Sequence, residues 1–402
     1  MAFAGRSGGV LIIVQNLPVP FDRRVWLEAT TLQRAGYRVS VICPKAKGFT
    51  HSQEVLEGID IHRYGIPVQA RSALGFVFEF AWCWVRTLMK SLRIAIRGPG
   101  FDVIHACNPP DTYWLLGLLY RPFGKRFVFD HHDLSPEMYE AKFARNDGFA
   151  MWGLRWLEQM TFRAADIVIA TNESHKQIAV KRGGVPPEKV YVVRSGPELA
   201  RLKAFPPDAT WKRGKRFLIV YLGEICAQDG VEYLVRALVT LRDDLGRNDI
   251  HCVLVGGGPH QEAVKAYARD VGASDLCTFT GRVSDEDLCR ILSSADLAVD
   301  PDPKTAWSDQ STMNKIMEYM FFGLPIVGFA LTENRVSAGK ALLTVENNDP
   351  VELARGVARL LDAPELREEM SRVGQERLRT QLAWSYSVAP LLAAYDAALK
   401  GR

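Results

Sequence analysis

Short apolar runs rich in β-branched residues alternate along the chain with longer stretches whose apolar positions recur at three- and four-residue intervals. This alternation predicts a doubly wound α/β architecture. In the first half, strands are expected at 10–14, 38–42, 59–64, 103–106, 126–130, 167–170 and 190–193; in the second, at 217–222, 252–255, 277–280, 297–299, 325–329 and 341–345. Each set is expected to form its own parallel sheet. Helical periodicity returns at 352–361 and 365–378, and a last helix over 387–399 is placed to cross back over the first domain.

Between the two arrays, residues 195–215 carry Pro197, Pro206, Pro207 and Gly214 with Lys212, Arg213 and Lys215, the composition of a linker. With 402 residues, too many for one typical core, the chain divides into domains at 1–196 and 197–383, with 384–402 packing on the first. Two sheets facing each other make a cleft lined by the carboxyl ends of their strands, where α/β proteins place ligands.

Residues 308–327 hold the densest candidate chemistry. Met313, Ile316, Met317, Met320 and Phe321 form one apolar helical face, while Asn314, Lys315 and Glu318 share the other. Ser311 or Thr312 is placed to cap this helix. Its first amides, with Lys315 one turn in, suit a phosphate, and the Glu318 carboxylate suits the two hydroxyls of a ribose. An ordinary capped helix with a solvated Lys/Glu face shows the same pattern, so the strand ends decide the reading. Gly223-Glu224, Gly256-Gly257-Gly258-Pro259 and Gly281-Arg282-Val283 each follow an expected strand, and glycine there lets backbone amides approach a ligand closely. G-x-G-x-x-G spacing fails at Gln261, and no glycine follows the first strand, which disfavours a dinucleotide cofactor.

Fifty Lys+Arg against 46 Asp+Glu leave a net charge of +4, too little to argue for nucleic acid. Seven scattered cysteines without a C-x-x-C pair argue against a disulfide framework or a zinc knuckle. No signal peptide is evident at the N-terminus, which suggests the cytosol. Residues 74–96 combine aromatic and aliphatic bulk with Arg86, Lys90 and Arg93, and Arg71, Arg97, Arg121, Lys125 and Arg126 extend the cationic region. Such a helix suits either the interface of an anionic membrane or ordinary packing on a sheet; the apolar 114–120 beside it favours the membrane. Asp130-His131-His132-Asp133 is dense in metal-ligand types, but successive strand residues face opposite ways, so its adjacent histidines do not point at one ion; Asp300-Pro301-Asp302 fits a D-x-D pattern.

Several segments together carry a family resemblance over nearly the whole length: 22–29, 101–105, His132-Asp133-Leu134, Tyr221-Leu222-Gly223, Asp229-Gly230-Val231, 255–259, 279–283, 315–320 and Gly323-Leu324-Pro325. The chain resembles the retaining family 4 glycosyltransferases of the GT-B type, built from two Rossmann-like domains facing across a cleft. The resemblance implies a nucleotide-sugar donor on the C-terminal domain and a carbohydrate acceptor on the N-terminal one, without a metal or cofactor. It implies that Glu318 holds the ribose, that backbone near Arg282 and Val283 reads the base, that Gly223 opens the loop under the diphosphate, and that His132 faces the donor sugar. Glu224, Gly256, Gly257 and the turn Ser311-Thr312-Met313-Asn314 join the donor-binding set. Gln310, with Asp309 beside it, stands where the family has its first glutamate, and Glu224 and Asp229 stand near its diphosphate-clamping Arg and Lys. Lys315, Arg282 or the helix N-terminus is expected to replace that clamp. The expected reaction moves a hexosyl or N-acetylhexosaminyl group, UDP-linked before GDP-linked, to a lipid-linked or polysaccharide acceptor of the cell envelope or exopolysaccharide at the inner membrane face. A GT-B sugar-nucleotide epimerase and a catalytically weakened nucleotide-sugar scaffold are the alternatives.

Overall fold

The computed structural model describes residues 8–67, 73–143 and 146–400. Arg71 and the side chains of Leu74 and Phe76, counted above toward a membrane face, lie outside the described residues. The chain divides into two compact units, Met1–Glu140 with Arg145–Ser195 and Ser387–Arg402, and Ala141–Ala144 with Gly196–Tyr386.

An eight-stranded sheet forms the first unit, with β1 (Gly9–Ile13), β2 (Arg38–Pro44), β3 (Gln53–Leu56), β4 (Ile59–Tyr64), β5 (Val103–Cys107), β6 (Arg126–His131), β7 (Ile167–Ala170) and β8 (Val190–Val192). Their order is β3-β4-β2-β1-β5-β6-β7-β8. The helices are α1 (Arg23–Arg34), α2 (Ala73–Arg97), α3 (Trp114–Tyr120), α4 (Ser135–Phe143), α5 (Gly148–Ala164) and α6 (Glu173–Lys181). β1, β5 and β7 are buried at every position, which is why they read as unbroken apolar runs. One strand departs from the all-parallel expectation: β3 pairs antiparallel with β4 at the sheet edge. Glu57 and Gly58, at φ of 48° and 78°, turn the chain between them as a tight hairpin requires. Its Gln53-Glu54-Val55-Leu56 sequence is too polar to stand out as a buried strand.

Six strands form the second sheet, β9 (Phe217–Leu222), β10 (Ile250–Val255), β11 (Cys277–Gly281), β12 (Leu297–Asp300), β13 (Ile326–Phe329) and β14 (Leu342–Val345), in the order β11-β10-β9-β12-β13-β14. Around it lie α7 (Val231–Asp243), α8 (Gln261–Asp270), α9 (Asp285–Ser294), α10 (Asn314–Phe321), α11 (Thr332–Ala338), α12 (Pro350–Asp362) and α13 (Pro364–Arg377). Apolar clusters fill both faces of the sheet. In each unit the strand order reverses once, between β1 and β5 and between β9 and β12, and loops leaving the carboxyl ends there diverge to leave a crevice.

Residues 195–215 are not a free strap. The Phe205 and Asp208 amides donate to Ser293 Oγ (3.0 Å) and Ser294 Oγ (2.9 Å) on α9, so this proline-rich stretch satisfies its backbone on the second unit. The last helix, α14 (Trp384–Leu399), starts three residues earlier than expected and carries Pro390 within it. Tyr395, near its end, is buried in the first unit against Tyr37 and His105.

Candidate functional site

In the second unit the loops after β9, β10 and β11 are tied together by backbone. Gly223 N donates to Val255 O (3.1 Å), Ile225 N to Gly257 O (3.2 Å) and Gly256 N to Gly281 O (3.0 Å). Gly256 sits at φ 126°, and a Cβ there would lie 1.8 Å from Gly223 O; no other residue fits. Tyr319 Oη on α10 accepts from Leu222 N (2.7 Å), which pins that helix to the end of β9. The structure thus gathers Gly223, Glu224, Gly256, Gly257, Arg282 and Val283 at the carboxyl ends of β9, β10 and β11, with α10 beside the end of β9.

On α10 itself, several expectations are corrected. Neither Ser311 nor Thr312 occupies the cap position; Met313 does, without a side-chain bond. Residues Ser308–Gln310 form a short 3-10 turn, and Ser311 Oγ folds back onto it, donating to Trp307 O (2.8 Å). Lys315 does not share a solvated face with Glu318. Its ammonium lies 2.9 Å from Asp300 Oδ1 and 2.8 Å from Asp302 Oδ1, above the Tyr221 ring. Burial disfavours this cation, yet Asp300 and Asp302 hold its pKa well above the ordinary lysine range. The cation that spacing offers to a phosphate is therefore already matched by two carboxylates, and the D-x-D pair holds an ammonium. Asp302 is pushed well up by burial and by Asp300, and Asp229 is raised to about 6, chiefly by burial.

Glu318 is buried, with Oε1 3.5 Å from Arg201 Nη2; Arg201 also bonds Asp285 Oδ2 (3.0 Å). Asp309, expected near the donor sugar, accepts from Thr332 N at the start of α11 (2.7 Å) and faces Lys304 Nζ (3.4 Å). Gln310 Nε2 donates to Ala306 O (2.9 Å). Both are anchored locally.

The first unit holds a buried charge network at its own reversal point. Arg24 on α1 forks onto Asp130, with Nε to Oδ2 at 3.2 Å and Nη2 to Oδ1 at 2.8 Å, and lies 3.0 Å from Glu28 Oε1. His132 Nδ1 donates to Asp130 Oδ2 (3.1 Å), and Asn108 Oδ1 accepts from the His132 and Asp133 amides (3.0 Å each). Burial disfavours charge on His132, but Asp130 prevails and raises its pKa to about 9. His132 is thus an imidazolium at neutral pH, with its ring fixed and its side chain only 11% exposed. His105 lies 3.4 Å from Glu28, 3.6 Å from Asp130 and 2.7 Å from Tyr395 Oη, and is likewise raised to about 9, against burial, by Asp130 and Glu28. His131 points elsewhere, toward Glu158 (3.6 Å), as strand alternation requires.

Ligand atoms of Glu28, His105, Cys107 and Asp130 lie within 4.8 Å of one another. The Arg24 guanidinium and the His105 imidazolium neutralise this set, so its chemistry is that of an ion-pair network. Sequence reasoning missed Arg24, Glu28, His105, Asn108, Asp130 and Arg201 as a set. The available signal was a histidine and an aspartate embedded in the apolar runs of β5 and β6.

Residues 22–196 match the family model described as glycosyl transferase 4-like domain, and residues 216–363 match glycosyl transferases group 1. The chain belongs to the family 4 glycosyltransferases of the GT-B fold. This glycosyltransferase is 26% identical, over 332 residues, to the D-inositol 3-phosphate glycosyltransferase of Acidothermus cellulolyticus, covering 77% of this chain and 70% of that protein. Its fold matches the sucrose-phosphate synthase of Thermosynechococcus elongatus with a TM-score of 0.80 at 18% identity, covering 98% of this chain and 100% of the other. It also matches Anabaena HepE in complex with UDP-glucose, with a TM-score of 0.71 at 16% identity and coverage of 97% and 100%.

Proposed function

We propose that this glycosyltransferase moves a hexosyl or N-acetylhexosaminyl group, with retention, from a UDP-sugar to a lipid-linked or polysaccharide acceptor of envelope or exopolysaccharide synthesis. The observation that carries the donor half is the Glu318 carboxylate on a helix pinned to the glycine loops after β9, β10 and β11. In this reading Glu318 accepts both ribose hydroxyls, backbone beside Arg282 and Val283 meets the base, and Gly223, Gly256 and Gly257 let amides reach the diphosphate. The amides opening α10, from Ser311 to Asn314, stabilise charge growing on the leaving phosphate, with Arg282 supplying the cation in place of Lys315. His132, held protonated by Asp130, donates toward the transferred sugar. No metal is required, and a chelator leaves turnover unchanged. UDP is favoured because the HepE structure of the same fold holds UDP-glucose. The acceptor class is proposed because the cation-rich, apolar α2 suits the inner face of an anionic membrane.

Glu318→Ala is expected to weaken UDP binding about 10- to 100-fold, the loss of charge-assisted hydrogen bonds, with little change in melting temperature. Titration calorimetry checks this; unchanged affinity removes Glu318 from the ribose. Thermal-shift screening against UDP, GDP, ADP and TDP sugars tests the base, and a GDP response larger than the UDP response reverses that choice. A nucleotide-sugar scaffold is the reading favoured by Glu224 and Asp229 at the family's clamp positions with Lys315 already neutralised. Measured hydrolysis or transfer from any donor excludes it.

A further inference from the structure

Three neighbouring helices of the first unit are apolar on faces that no other described part of that unit covers. On α2 the inward residues Cys83, Thr87, Ser91 and Ile94 are buried, with Thr87 Oγ1 3.4 Å from Tyr113 Oη and Ser91 Oγ 3.0 Å from Tyr120 Oη of α3. The opposite side carries Phe78, Val85, Met89, Leu92 and Ile96, which at 100° per residue fall in one narrow stripe; Ile96 is 76% exposed. On α3, Leu115, Leu118 and Leu119 form a second exposed stripe, and Phe123, in the turn that follows, is 71% exposed. On α5, Phe149, Trp152 and Trp156 form a third, with Phe149 84% and Trp152 60% exposed. Trp156 meets Trp114 of α3 edge-on at 6.0 Å, so the second and third stripes adjoin. A soluble chain rarely leaves so much contiguous aromatic and aliphatic surface in water.

Charge selects the occupant. Arg93 and Arg97 are exposed beside the α2 stripe, Arg86 lies over the Trp82 ring, and Arg155 is exposed on α5 between Trp152 and Trp156, while Arg121, before Phe123, is shared with Asp166 Oδ1 at 3.8 Å. The only acid on α2 is Glu79. Lys90 is held below its ordinary range by burial and by Arg86 and Arg93, so cations already crowd one another there. A second copy of the chain would bring like charges together; an anionic lipid surface would neutralise them. No described helix is long and apolar enough to cross a bilayer, so the contact is one of lying on the surface.

We propose that the outward faces of α2, α3 and α5 form one docking surface for an anionic bilayer, with Phe123, Phe149 and Trp152 entering the acyl boundary. This deepens the membrane contact proposed above and rests on it, extending it from α2 to a surface in which α5 supplies the most exposed aromatic residue, Phe149.

Co-sedimentation of the full chain with phosphatidylglycerol/phosphatidylcholine vesicles is the test. Binding is expected to require phosphatidylglycerol, to weaken with salt, and to fall at least about tenfold in Phe149→Ser/Trp152→Ser and again in Phe123→Ser. Both variants should keep the wild-type melting temperature and UDP affinity, since these side chains pack on nothing the donor site uses. Wild-type binding that the variants retain shows that the membrane contact lies elsewhere and overturns this surface alone. Absence of wild-type binding to phosphatidylglycerol vesicles overturns both the surface and the membrane-borne acceptor. Concentration-dependent dimerisation lost in the same variants assigns the face to a second copy and overturns the proposal, while the donor chemistry stands or falls by the Glu318 titration.

Discussion

Asp130→Ala is expected to destabilise the first unit by about 3–5 kcal/mol, the cost of leaving buried charges unpaired. One carboxylate there faces the Arg24 guanidinium, the His132 ring and His105, and all four side chains are nearly or fully excluded from water. The same network sets a pH dependence. His105 and His132 are both raised to about 9, so their contribution is fully present below the unfolded value near 6.5 and is lost as pH rises through 9. Asp130 is held well below its ordinary range, chiefly by Arg24 against the penalty of burial. Its contribution is present above about pH 4 and fades as pH falls further. Urea unfolding of the wild type at pH 6, 7.5 and 9 should therefore show stability falling across the alkaline range. In Asp130→Asn, which keeps the shape and removes the charge, that alkaline fall should flatten. A wild type equally stable at pH 6 and 9 would contradict the network's charge state.

Lys315→Met is expected to cost the second unit a similar amount, about 3–5 kcal/mol, because it strands Asp300 and Asp302 without their cation. Asn334 Nδ2 remains as a donor to Asp300, but a neutral amide cannot replace an ammonium shared between two carboxylates. The penalty should grow with pH. Asp229, raised to about 6, chiefly by burial, takes up a proton as pH falls, so the variant should recover part of its melting temperature at pH 5.5 relative to pH 8. This outcome separates two roles for one residue. A lysine that only clamped the donor would leave the melting temperature unchanged and lower UDP affinity; that pattern would return Lys315 to the diphosphate.

Tyr319 shows why part of the proposed donor site escaped a linear reading. On α10 its position follows from helical periodicity, but its hydroxyl bonds the Leu222 amide 97 residues earlier in the chain. Arg201, in a stretch that composition marks as linker, meets Glu318 for the same reason: the linker's amides are satisfied on α9 of its own unit, not in water.

From the amino-acid order alone came the two sets of alternating strands and helices, the glycines at the ends of β9, β10 and β11, and Glu318 as the one carboxylate on α10. These depend on local periodicity and on backbone conformations that only certain residues adopt, so they are written within a few neighbouring positions. Tertiary structure alone decided which polar groups meet: Arg24 with Asp130, 106 residues away; His105 with Tyr395, 290 residues away; and Lys315 with Asp300 and Asp302. It also decided that the apolar stripes of α3 and α5 adjoin through Trp114 and Trp156 instead of facing separate surroundings. A charge or an apolar stripe selects its partner by burial and distance across the folded chain, and those quantities do not exist until the sheet has brought remote segments together.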